Sequence, residues 1–139
     1  MKLLFLTPQL PYPPKQGTAL RNWGLISHLS RKHEIWLMSF DEVGPAQRDL
    51  PEPLRAACPQ VATFAIPKRS AQDRVKTLLT SPLPDMAWRL WSPEFAEHLR
   101  GWLQRERFDL IQIEGIELLR YADCLDSGGP PLIFDDHNC

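Results

Sequence analysis

The sequence predicts an α/β protein, a single doubly wound parallel sheet with helices on both faces. Three observations lead there. Residues 2–7 (KLLFLT) are apolar at both alternating positions, the pattern of a central strand covered on two sides. A second such run, residues 34–40 (EIWLMSF), starts 32 residues after the first. That is the span of one strand–helix–strand unit, whose crossover is right-handed. The alternation of strand and helix then continues to the end of the chain without internal repeats or a linker. At 139 residues the chain has the length of one domain able to bury its own core.

The elements follow in order. After a proline-rich loop over residues 8–17, Thr18 can cap a helix reaching about residue 32, with Leu20, Trp23, Ile26 and Leu29 at helical spacing and Arg31, Lys32 and His33 at its carboxyl end. Prolines 45, 51, 53 and 59 restrict the stretch after the second strand to a short helix over residues 53–58. Residues 61–66 (VATFAI) read as a third strand, and residues 71–80 as a helix presenting Val75, Leu78 and Leu79 on one face. Pro82 and Pro84 end it. Ser92-Pro93-Glu94 combines a cap, a proline at the first helical position and an early carboxylate. Phe95, Leu99, Trp102 and Leu103 then pack along a helix to about residue 107. Residues 109–114 (DLIQIE) form a fourth strand, 116–121 a helical turn and 132–136 (LIFDD) a fifth strand. The chain stops three residues past that strand with no covering helix, so a fragment of a longer polypeptide is expected.

Composition excludes several classes. Sixteen Lys and Arg against seventeen Asp and Glu leave a formal charge of −1, without the clustered basic excess that nucleic acid binding requires. No apolar run exceeds four residues, far below the ~20 of a membrane-spanning helix or the ~7–15 of a signal segment. Cys58, Cys124 and Cys139 form no paired spacing, so a reducing, cytosolic setting is expected.

In open α/β sheets ligands gather at the carboxyl ends of the strands. Here those loops are residues 7–18, Glu114-Gly115 and residues 135–139. None carries G-x-G-x-x-G or G-x-x-x-x-G-K-[ST], which disfavours a standard dinucleotide site or P-loop. Gly17-Thr18 precedes a helix N-terminus, where free backbone N–H groups favour phosphate; a simple turn glycine is the plainer reading. Asp135-Asp136-His137-Asn138 puts an imidazole between carboxylates and an amide, a combination suited to hydrogen bonding or proton transfer near neutral pH. Its spacing matches no standard metal site. Glu114 points toward the same rim. His28, His33 and His98 fall on helices or at their ends and read as structural. The stretch from Lys68 to Trp91 mixes cations with tryptophans, which suits a lipid head group or a sugar face, or simply a solvated helix face over core tryptophans.

Residues 2–17 (KLLFLTPQLPYPPKQG), residues 21–40, residues 108–115 and Asp135-Asp136-His137-Asn138 together resemble the N-terminal half of a family 4 glycosyltransferase with the GT-B fold. The resemblance spans essentially the whole chain. It implies two Rossmann-like domains facing across a cleft, with this chain as the acceptor side and the nucleotide-sugar donor held by a C-terminal domain that the chain lacks. It implies that Lys15, Gly17 and Thr18 lie near the donor diphosphate, although many relatives have two adjacent glycines where this chain has Gly17-Thr18. His137 would be catalytic and face the transferred sugar, with Glu114, Asp136 and Asn138 around the acceptor. Such enzymes need no metal or other cofactor and usually retain anomeric configuration. Expected partners are the nucleotide sugar and a sugar or lipid-linked acceptor, with no nucleic acid. The expected location is the cytoplasm, with peripheral contact at the inner face of the membrane. The alternative is a non-catalytic acceptor- or partner-binding subunit of a split glycosyltransferase. A nucleotide-sugar epimerase is disfavoured by the missing glycine fingerprint.

Overall fold

In strand β1 (Lys2–Thr7), every residue from Leu3 to Thr7 is buried, which a strand achieves only with neighbours on both edges and layers on both faces. The computed structural model describes residues 1–15, 17–42, 49–82, 84–125 and 128–136, with only the backbone of Asp73 and Leu78. Within these residues β1 pairs with β2 (Glu34–Asp41) and with β4 (Leu110–Glu114), while β3 (Gln60–Ala65) and β5 (Leu132–Asp135) form the edges. All pairings are parallel, in the order β3-β2-β1-β4-β5. The predicted class, one domain built on a doubly wound Rossmann-like sheet, is what the chain adopts.

Helices α1 (Gly17–Leu29) and α2 (Glu52–Ala57) cover one face, where Leu3, Phe5, Ile35 and Leu37 pack with Ile26, Leu54 and Cys58. Helix α4 (Pro93–Arg105) and the 3-10 helix Ile116–Cys124 cover the other, where Leu6, Trp36 and Phe40 meet Phe95, Leu99 and Tyr121. The Ser92 hydroxyl accepts from the Phe95 N–H at 3.3 Å, so the predicted start of α4 forms as a side-chain cap. Tyr121 locks the segment before it, donating its hydroxyl to the Leu90 carbonyl at 2.7 Å and accepting the Ser92 N–H at 2.9 Å. Burial pushes that phenol well above its ordinary pKa.

Two expectations change. Thr18 is not the cap of α1, because the helix already includes Gly17, and it ends at Leu29 instead of near residue 32. Its buried stripe is Ala19, Asn22 and Ile26, whereas Leu20 is exposed. Of the predicted stripe, Ile26 is buried and Trp23 and Leu29 pack half-buried against the same cluster, so the face holds except at its first turn, where contact with the sheet buries Ala19 and Asn22 in place of Leu20. Helix α3 (Ala71–Thr80) forms over the predicted residues but covers neither sheet face; its main packing partner is the 3-10 turn Asp85–Trp88.

Candidate functional site

The strand order places the topological switch between β1 and β4. The chain winds outward from β1 through β2 to β3, then returns to build β4 and β5 on the other side. Loops leaving β1 and β4 therefore diverge and leave a crevice above their carboxyl ends, the position where such sheets hold ligands. The register Leu6↔Ile113 brings the end of β1, Thr7, alongside Glu114, and Glu114 itself pairs with Asp135 of β5. Thr7 donates to the Ser39 hydroxyl at 2.9 Å, which donates in turn to the Phe40 carbonyl at 3.0 Å. A polar row, Ser39, Thr7, Glu114 and Asp135, thus crosses four strands on the face covered by α1.

Helix α1 closes over this row. Arg21 forms an ion pair with Asp135, tying the second turn of the helix to the far edge of the sheet across 114 residues of sequence. Because the Arg21 side chain is half exposed, the pair contributes at most about 1 kcal/mol to stability, and its main effect is positional. The next residue, Asn22, is fully buried, and neither its amide nitrogen nor its oxygen has a hydrogen-bond partner among the described residues. Desolvating such a group without a partner costs roughly 1–3 kcal/mol, a destabilisation concentrated under the crevice.

On the other flank, between the loop after β1 and the ends of β2 and β3, lies an open cavity of about 200 Å³ bordered by Tyr12, Lys15, Ala19, Asp41, Glu42 and Ile66. Tyr12 is held by an edge-on contact with Trp23 of α1, ring centres 4.8 Å apart. The cavity therefore combines an aromatic ring, one cation and two carboxylates, a set that hydrogen bonds hydroxyl groups. Burial pushes Cys58 up to about 12 and raises Cys124 as well. Among the described residues no three His, Cys, Asp or Glu side chains stand together as a metal site.

The sequence-predicted residues distribute as follows. Lys15 borders the cavity, Gly17 opens α1 and Thr18 lies in its first turn. Asp136 directly follows β5. Glu114 reaches the end of β4 as expected but is fully buried instead of standing on the rim, with the Gln112 amide donating to its Oε1; in this conformation it supports the crevice floor. His137 and Asn138 lie outside the described residues. Sequence reasoning missed Arg21, Asn22, Asp41 and Glu42. A polar residue inside an apolar stripe was the available signal for Asn22, while the others become neighbours only through the sheet.

The two glycines of the crevice differ. A Cβ on Gly17 would meet nothing within 4 Å, and Gly115, not Gly17, has the positive φ, 87° with ψ 148°. That region is essentially closed to other residues. Gly115 also donates its N–H to the Asp135 carbonyl at 2.9 Å, so the turn out of β4 is held in place. Gly115→Ala is expected to cost about 1–3 kcal/mol of stability, read as a lower urea midpoint. A variant as stable as the parent would show that the turn tolerates a side chain.

No protein-family model matches the chain, and no curated protein sequence matches it. Similar solved structures exist. Two crystal structures of the C-terminal domain of a hydrogenase from Pyrococcus furiosus superpose with TM-scores of 0.59 and 0.60 at 14% and 16% identity. Each alignment covers 96% of this chain, with 90% and 89% of those chains. The N-terminal domain of trehalose-6-phosphate phosphatase from Candida albicans gives a TM-score of 0.52 at 15% identity, covering 96% of this chain and 32% of that one. At such identities the likeness is one of fold.

Proposed function

We propose that this chain is the acceptor-side domain of a family 4 glycosyltransferase, moving a sugar from a nucleotide-sugar donor to a glycan or lipid-linked acceptor with retention of configuration. The observation that supports it most is the switch point itself, where the first turns of α1, which hold Gly17 and Thr18 and are tied by Arg21 to Asp135, lie beside the ends of β1, β4 and β5, with Glu114 in the floor and Lys15 on the adjoining cavity. These are the segments on which the sequence resemblance rests. The adjoining cavity, with Tyr12, Asp41 and Glu42, suits a hydroxyl-rich acceptor. One protein of similar fold is named for trehalose-6-phosphate, a phosphorylated sugar, which agrees with this reading without carrying it.

In this reading the residues named by the resemblance act by position. Lys15 and the amino end of α1 offer positive charge and backbone donors to the donor's diphosphate. His137 hydrogen bonds the sugar in transfer, strengthening as charge develops. The donor is held by a second domain, and neither metal nor other cofactor takes part.

A transfer assay tests this. Residues 1–139 alone, given nucleotide sugars with sugar and lipid-linked acceptors, are expected to show no turnover. The same residues joined to a donor-binding domain are expected to transfer, and His137→Ala should lower kcat by ~10²-fold with a smaller change in donor KM. Turnover of ~1–10³ s⁻¹ by residues 1–139 alone would overturn the division of labour. A joined protein that binds acceptor but never transfers would favour a non-catalytic subunit.

A further inference from the structure

Helix α3 has no place in the sheet layers, and its apolar side chains show it. Val75 and Leu79, one turn apart on the same face, are 56% and 80% exposed, and Met86 of the neighbouring 3-10 turn is 40% exposed. Ala71, Gln72, Val75 and Lys76 border a shallow surface groove. A ten-residue helix draws little stability from its own backbone, and an uncovered aliphatic stripe adds none. Cations surround the stripe. Residues 68–80 hold four Lys and Arg against a single Asp, in a chain whose net charge is −1. Asp85 takes up part of that charge, at 2.9 Å from Arg69 and 3.5 Å from Arg74. Lys68 and Lys76 are exposed, and neither forms an ion pair among the described residues.

We propose that α3 docks on an anionic lipid surface, with Val75 and Leu79 entering the boundary between headgroups and acyl chains and Lys68, Arg74 and Lys76 lying among the phosphates. An aliphatic stripe flanked by lysines is the pattern of an interfacial helix. A protein partner fits it less well. Stable protein interfaces bury about 800 Å² per partner around aromatic and arginine anchors and are depleted of lysine, whereas the exposed apolar groups on α3 and the 3-10 turn, among the described side chains, are two aliphatic ones and a methionine. The proposal gives the membrane contact expected from the sequence a place on the fold, and it rests on the exposed stripe and its cations, so it stands or falls apart from sugar transfer.

Co-sedimentation of residues 1–139 with vesicles tests the proposal without any sugar transfer. Vesicles of equal parts phosphatidylcholine and phosphatidylglycerol are expected to bind the chain at least ~10-fold more tightly than phosphatidylcholine alone, since each cation near an anionic surface contributes roughly fivefold, and high salt should weaken the binding. Val75→Asp with Leu79→Asp, and separately Lys68→Glu with Lys76→Glu, should each lose at least ~10-fold while melting as the parent does, because all four side chains are exposed. If one pair fails to fold, the other decides. Equal partition into neutral and anionic vesicles, no partition into either, or parental binding by the folded variants overturns the proposal. So does self-association in solution that the Val75 and Leu79 changes abolish, which would make a second copy of the chain the occupant.

Discussion

Phe95→Ala is expected to remove about 3–5 kcal/mol of folding free energy, a large share of what a domain of this size possesses. Phe95 is fully buried in the first turn of α4. Its ring stacks on Phe40 with centres 4.8 Å apart, meets Phe64 at 4.9 Å and lies 4.3 Å from Tyr121. One side chain thereby joins β2, β3, α4 and the 3-10 helix, so its loss leaves a cavity that no single neighbour can close. Beyond the transfer of a large apolar group, the aromatic contacts themselves contribute. Urea denaturation should show a lower midpoint with the slope unchanged. A loss below about 1 kcal/mol would mean that the four elements close around the gap.

The second large effect follows from the proposed function and is expected on catalysis, in residues 1–139 joined to a donor-binding domain. Gly17→Val should lower kcat/KM by ~10²-fold, about 2.7 kcal/mol of transition-state stabilisation, while unfolding moves by no more than about 0.5 kcal/mol. The structure sharpens this expectation. Gly17 is exposed, has no positive φ and has open space where a Cβ would go, so the fold itself does not require glycine there. A glycine at the amino end of α1 leaves the backbone open to close approach by a ligand, the role the proposed function gives it. Kinetics and melting measured on the same variant separate the possibilities. Parental kinetics would reduce Gly17 to the first residue of a helix.

Both predictions combine a residue that was readable in the sequence with surroundings that were not. Phe95 was placed by the Ser92-Pro93-Glu94 start and the spacing to Leu99 and Trp102, but nothing local indicated that Phe40, Phe64 and Tyr121 would converge on it. Similarly, the helix after the first strand was legible and Trp23, Ile26 and Leu29 of its predicted face meet the core, yet in its first turns Ala19 and Asn22 are buried in place of Leu20. The candidate site divides the same way. Its loops were found because parallel strands place ligands at their carboxyl ends, whereas the Arg21–Asp135 pair, the buried state of Glu114 and the cavity beside Asp41 and Glu42 were not.

The division has a physical origin. Strand and helix identity, the caps and the two-faced apolarity that makes β1 central depend on interactions within a few residues, and those are written directly in the order of side chains. The order β3-β2-β1-β4-β5, the roll of α1, the displacement of α3 from the sheet and the burial of Glu114 depend on which surfaces meet across 30 to 114 residues of chain. Such contacts are selected by how layers pack as a whole, and no local pattern determines them. The sequence by itself therefore determined an α/β sheet with its loops gathered at one edge. Only the tertiary structure decided which polar groups face one another in the crevice and which apolar helix face remains uncovered.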